Sequence, residues 1–159
     1  MADCLMLMDQ IPGEAQDPDF PGAINVSGWE WGVTARGEMA TNAARRGAAD
    51  VRHFTFYHGL DSATAGLLSR CATNNLIPNA TLTQRRAGGG KAQAFLEIKF
   101  KGVRIVDVSL STNNTAADFP RVSVSFAFDT VSFDYTPQSR SGADKSGRHN
   151  FGWIAGAKE

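Results

Sequence analysis

Histidine and cysteine are the side chains that most readily bind metals or carry nucleophilic chemistry, and here they are few and scattered. His53 and His58 lie in a segment that reads as one strand, residues 51–58. Side chains alternate between the two faces of a strand, so this pair would point to opposite sides and could not share a metal ion. His149 stands far from both in sequence. Cys4 and Cys71 read as two free thiols, one in a strand and one on a helix, because a disulfide scaffold packs more cysteines into a shorter chain. Ligand-spaced Cys and His are missing, so neither a metal site nor a cofactor is expected.

Gly88-Gly89-Gly90-Lys91 has the look of a phosphate-binding loop. It lacks the full glycine–lysine spacing, and Ala92 stands where Ser or Thr would hold magnesium. A glycine tip that permits a tight hairpin is the better reading. No Gly-x-Ser-x-Gly elbow is present, and Asp107, Asp129 and Asp134 fall in strands as carboxylates on wet faces. Trp29, Trp31 and Trp153 could form a binding platform. Together with Phe133 and Tyr135 they read better as anchors of the core or of a subunit contact. The chain is therefore expected not to be an enzyme.

The elements that must position these residues are mostly strands. Short runs of Phe, Val, Ile, Thr and Trp are punctuated by Gly, Asn, Asp and Pro. The strands fall at residues 4–8, 22–35, 51–58, 122–136 and 150–155, with a hairpin over 80–110. One helix is predicted over 61–75, capped by Asp61 or Ser62 and ended by Asn74-Asn75 and Pro78. Its apolar stripe would be Leu67, Leu68, Cys71 and Ala72.

Three strands change phase midway. In 122–136, Val122, Val124, Phe126 and Phe128 give way to Val131, Phe133 and Tyr135. In 22–35 the change falls at Gly28, and in the hairpin it falls after Gly102. Each slip calls for a bulge or a change of surroundings. Bulges and glycines are how sheets curve, so a closed or strongly bent sheet is expected. The slips could also supply a second apolar patch for subunit contact. Two stretches, 37–50 and 138–149, are polar, lack periodicity and read as long loops.

The 159 residues fit a single domain over 1–159, and 42% hydrophobic content is enough for a real core. Lys and Arg number 16 against 16 Asp and Glu, so the basic excess of a nucleic-acid binder is absent. No apolar run reaches the roughly 20 residues of a membrane helix. The opening residues lack the basic start and long apolar stretch of a secretory signal. The expectation is a cytoplasmic protein that, if exported, leaves without a cleaved leader.

An ordered set of motifs resembles the Hcp family of bacterial type VI secretion. Leu5-Met6-Leu7-Met8-Asp9-Gln10-Ile11-Pro12-Gly13-Glu14 is similar to the family's opening strand and Ile-x-Gly-Glu. Trp29-Glu30-Trp31-Gly32 resembles its Trp-x-Trp-Gly strand. The hairpin tip Arg86-Ala87-Gly88-Gly89 follows in order, then Phe133-Asp134-Tyr135-Thr136-Pro137-Gln138 and Phe151-Gly152-Trp153. The resemblance covers essentially the whole chain.

It implies a mainly β fold: a two-sheet β-barrel with one short α-helix at the side, assembling as a hexameric ring and related to phage tail-tube proteins. Rings would stack into a tube, driven out of the cell by a contractile sheath, with a VgrG-type spike protein at the tip and secreted effector proteins in the lumen. The loop reaching the next ring would include Gly37, Glu38, Met39, Asn42, Arg45 and Arg46. The loop over 113–119 departs from the family's pattern. A different class of reading is a monomeric β-barrel that binds a small apolar ligand in a deep pocket. A small enzyme is a third, and the sequence offers it no cluster of titratable groups.

Overall fold

Alternation of Val122, Val124 and Phe126 with serines dictates a strand with one dry and one wet face, and these three side chains are fully buried. In the computed structural model, which describes residues 3–35, 49–88, 91–112, 119–137 and 147–155, this is β8 (Arg121–Ala127). The elements before it are β1 (Asp3–Met8), β2 (Ile24–Glu30), β3 (Val33–Ala35), β4 (Ala49–Val51), β5 (Phe54–Gly59), α1 (Thr64–Thr73), β6 (Ile77–Gly88) and β7 (Lys91–Ser111). After it come β9 (Thr130–Tyr135) and β10 (His149–Ile154).

Every ladder is antiparallel. The sheet runs β10-β9-β7-β6-β1-β2-β5-β8, and a further β7–β8 pairing closes it. Six strands, β1, β6, β7, β8, β5 and β2, thus form a barrel, and β9 and β10 extend from it as a flap. β7 is the spine. Its first half pairs with β6 and β9, and its second half with β8.

The phase changes are where the sheet bends. β2 shifts register between Val26 and Gly28, and β7 shifts between Ile105 and Asp107. The expected single strand over 122–136 breaks at Phe128-Asp129 into β8 and β9. Opposite the break, Gly102 holds φ +65°, a region where a side chain is strained. The break returns the apolar series to the same core: Phe128 and Val131 are both buried, and Phe133 and Tyr135 pack half-buried against them. The slip in this strand does not expose a second apolar patch.

Other boundaries also differ. Residues 22–35 form two strands, β2 and β3, rather than one. Residues 51–58 divide between β4 and β5, leaving His53 in the connection. The predicted hairpin begins earlier, at Ile77, and Pro78 lies inside β6 rather than merely ending the helix. Helix α1 is shorter than predicted and is not capped by Asp61 or Ser62: its N-cap is Ala63, without a side-chain cap, because the Asp61 carboxylate accepts the Ala63 N–H itself at 2.9 Å and holds that residue in the entry turn. Its last turn ends at Asn74, which is left-handed at φ +54°. The buried face is Ala63, Thr64 and Leu67, with Cys71 half-buried; Leu68 is 41% exposed and Ala72 is exposed. A helix this short docks through a narrower stripe than the spacing suggested.

The barrel interior is filled by rings. Phe100 lies 4.9 Å from both Phe54 and Phe126, centroid to centroid, and Phe54 lies 5.3 Å from Phe126. Burying each such side chain stabilises the fold by about 1.5–3 kcal/mol. An apolar ligand would have to displace this cluster. No helix among the described residues is long and apolar enough to cross a membrane.

Candidate functional site

The chemistry-bearing residues do not converge. His53 is exposed in the β4–β5 connection, His58 is buried in β5, and His149 opens β10 with its ring 6.3 Å from Tyr135. Among the described residues no three His, Cys, Asp or Glu side chains form a metal-binding group. Gly88 pairs with Lys91 across the β6–β7 hairpin, so this run serves a turn. Burial, with a smaller contribution from Asp3, pushes the Cys4 thiol up to about 12.

The aromatic residues come together at one side of the barrel. Trp29 stacks on Phe54 at 5.6 Å and donates its Nε1 hydrogen to Gln84 Oε1 at 3.1 Å. Trp31 donates to the Arg52 carbonyl at 2.9 Å and meets Phe128 and Phe151 at 6.2 and 6.3 Å. Trp153 packs edge-on to Phe128 at 5.9 Å. These contacts tie the β9–β10 flap to the β2–β3 junction. Phe133 and Tyr135 line the flap's inner face. All five residues pack half-buried against the barrel core.

Gly37, Glu38, Met39, Asn42, Arg45 and Arg46 lie outside the described residues. Their flanks are described: β3 and β4 pair as a two-stranded arm separate from the barrel sheet. The segment that carries these six residues therefore springs from an antiparallel arm.

Two features were not legible in the sequence. The first is the wet face of β2, β5, β8 and β7. Cross-strand register places Glu30, Thr55, Ser125 and Asp107 in one row, and Gly28, Tyr57, Ser123 and Ser109 in the next. Thr55 and Ser125 share a hydrogen bond of 2.8 Å, and Ser109 donates to Asp107 at 3.0 Å. Tyr57 donates to Glu30 at 2.8 Å, and that carboxylate raises the phenol's pKa. The result is a surface of short hydroxyl side chains with its charges tied down. The serine alternation in 122–136 was the available signal, but only pairing shows which rows align.

The second is an ion cluster on the outer face of β1 and β6. Arg85 donates to both Asp3 oxygens, at 2.9 and 2.5 Å, and to Asp17 at 2.5 Å. Its guanidinium lies 5.2 Å from the Phe20 ring centroid. It thereby straps residues 9–23 over β1, with Ala15 and Ala23 of the strap buried against Leu5. Gly13 belongs to this strap: its N–H donates to Gly22 at 2.7 Å, and a Cβ there would strike the Ala23 backbone.

Against known proteins, the profile described as "Type VI secretion system effector, Hcp" matches residues 5–135. Protein hcp1 of Pseudomonas aeruginosa strain PAO1 is 30% identical over 152 residues, covering 95% of this chain and 93% of its own. A solved type six secretion system protein superposes with a TM-score of 0.87 at 25% identity, covering 98% of this chain and 96% of that one. A type VI secretion system effector from Yersinia pestis gives 0.77 at 28% identity, over 96% and 100% of the two chains.

Proposed function

This chain belongs to the Hcp family of type VI secretion, and from that premise we propose that it forms the inner tube of the secretion machine as stacked hexameric rings. The family is one of secreted, structural β-barrel proteins. The observation that carries the proposal is the pairing of that family match with the closed six-strand barrel. A barrel that has already sealed its own core is a rigid wall unit, and ring contacts then add to it without completing it.

Two features favour assembly. β10 ends the sheet order with one edge unpaired among the described strands, and a free edge readily takes a further strand or partner. The segment between β3 and β4, with Gly37, Glu38, Met39, Asn42, Arg45 and Arg46, would reach a neighbouring ring. Trp29, Trp31, Phe133, Tyr135 and Trp153 would brace the flap that meets the next subunit.

The hydroxyl-rich face centred on Tyr57 and Ser123 would line the channel. Its short hydroxyl side chains would let varied effector proteins pass without sticking. A VgrG-type spike, the contractile sheath and secreted effectors are the partners this role requires. The site of action is then the cytoplasm during assembly and the exterior or a target cell after firing. The test is negative-stain imaging of the purified chain. Six-fold rings with an open centre support the reading, and a field of isolated monomers contradicts it.

A further inference from the structure

His58 is a buried titratable group that tube formation does not use. Its side chain is fully shielded from solvent. Nδ1 lies 2.8 Å from the Gly59 carbonyl oxygen, so Nδ1 carries the hydrogen and donates it there. That leaves Nε2 as an acceptor, and among the described residues it is buried without a hydrogen-bond partner.

The surroundings offer a charge little help. The ladder partners of His58 are Val26 in β2 and Val122 in β8, and the Phe56 ring lies 5.7 Å away in β5 itself. α1 packs against the core through Ala63, Thr64 and Leu67. Among the described residues, the charged side chain within ion-pair distance is Asp61, with Oδ1 at 3.6 Å from Nδ1. That oxygen already accepts the Ala63 N–H at 2.9 Å and the Thr64 hydroxyl at 3.3 Å. The residue that could answer a positive ring is thus the residue that organises the entry to α1.

We propose that His58 is an acid-sensitive catch between the barrel and α1. A second proton from solvent would place an N–H on Nε2 where no acceptor waits among the described residues, inside an apolar core. Burying such a charge is costly. The fold relieves the cost by opening the β5–α1 turn to water and drawing Asp61 away from Ala63 and Thr64. The direction follows from burial, which lowers this histidine below its ordinary 6.5 and outweighs the opposing pull of Asp61. The unfolded or opened chain then takes up a proton near 6.5 while the closed fold resists it. Stability contributed by the neutral ring is full above about 6.5 and is lost as pH falls below it. The inference stands apart from the tube reading, because it concerns one subunit's own closure.

The experiment is amide hydrogen exchange on the full chain at pH 7.5 and 5.0, corrected for intrinsic rates, in wild type and His58→Phe. The expected result is that amides in residues 61–75 of the wild type open severalfold more often at pH 5.0 than at pH 7.5, while H58F shows no such gain. Equal gains in both proteins, or none in the wild type, would overturn the proposal. Imidazole nitrogen NMR on unmodified protein decides the matter if H58F does not fold. A His58 midpoint below 6.5 with the Nδ1–H tautomer supports the catch, and a midpoint at or above 6.5 overturns it.

Discussion

Asp129 sits opposite Gly102 at the point where β7 changes partner from β9 to β8. The Asp129 N–H donates to the Lys101 carbonyl at 2.9 Å, and a Cβ on Gly102 would run into the Asp129 carboxylate. Gly102 is also at φ +65°. Gly102→Ala should therefore lower unfolding free energy by about 1–3 kcal/mol, through strain at positive φ and lost room for Asp129. Urea titration of the two proteins measures the difference. Unchanged stability would mean the junction tolerates a side chain.

The strap over β1 depends on Arg85. Arg85→Ala removes charge-assisted hydrogen bonds to Asp3 and Asp17 and should cost about 2–3 kcal/mol. Arg85→Lys should recover less than half of that, because an ammonium cannot reproduce the forked contact. Proteolysis within residues 9–23 is the local readout: cleavage should speed up in R85A.

The same cluster sets an acid limit distinct from that of His58. The hydrogen bond from Arg85 is the main cause that holds the Asp17 carboxyl below its usual 3.8. Its contribution is present above that value and is lost as pH falls through the lowered one. Asp17→Asn should therefore flatten the stability curve below about pH 4 and leave the region between 5 and 7 unchanged. Thermal melts across that range check both parts.

Cys4, with its thiol pushed up to about 12, should be a poor nucleophile. Only the thiolate reacts, so iodoacetamide at pH 8 should alkylate Cys4 at least about a hundredfold more slowly than a free cysteine peptide. Peptide mass spectrometry of timed samples gives the rate. Labelling at the peptide's rate would show that β1 frays under working conditions.

Period-two alternation made the strands legible, and the mid-strand slips at Gly28, Gly102 and Asp129 marked a closed or strongly bent sheet, of which the structure has the closed form. What the slips do could not be read from one strand. Whether Val131 meets the old core or a new surface depends on β7 continuing past Gly102 as a shared spine, a long-range fact. The tryptophans announced themselves by size, but the tie from Trp31 to Phe151 needed the flap's position. Nothing in the sequence singled out Arg85, because its partners Asp3 and Asp17 are far away in sequence. His58 was weighed as a metal ligand by spacing, and burial turned it into a different kind of group. The ring loop from Gly37 to Arg46 stays an expectation from family resemblance.

Sedimentation velocity of the unmodified chain over a hundredfold range of concentration tests the central claim most directly. A species near six times the monomer mass that dominates at the upper end, and dissociates on dilution without a populated dimer or trimer, is the predicted result. A single monomer boundary at every concentration would contradict a ring-building barrel.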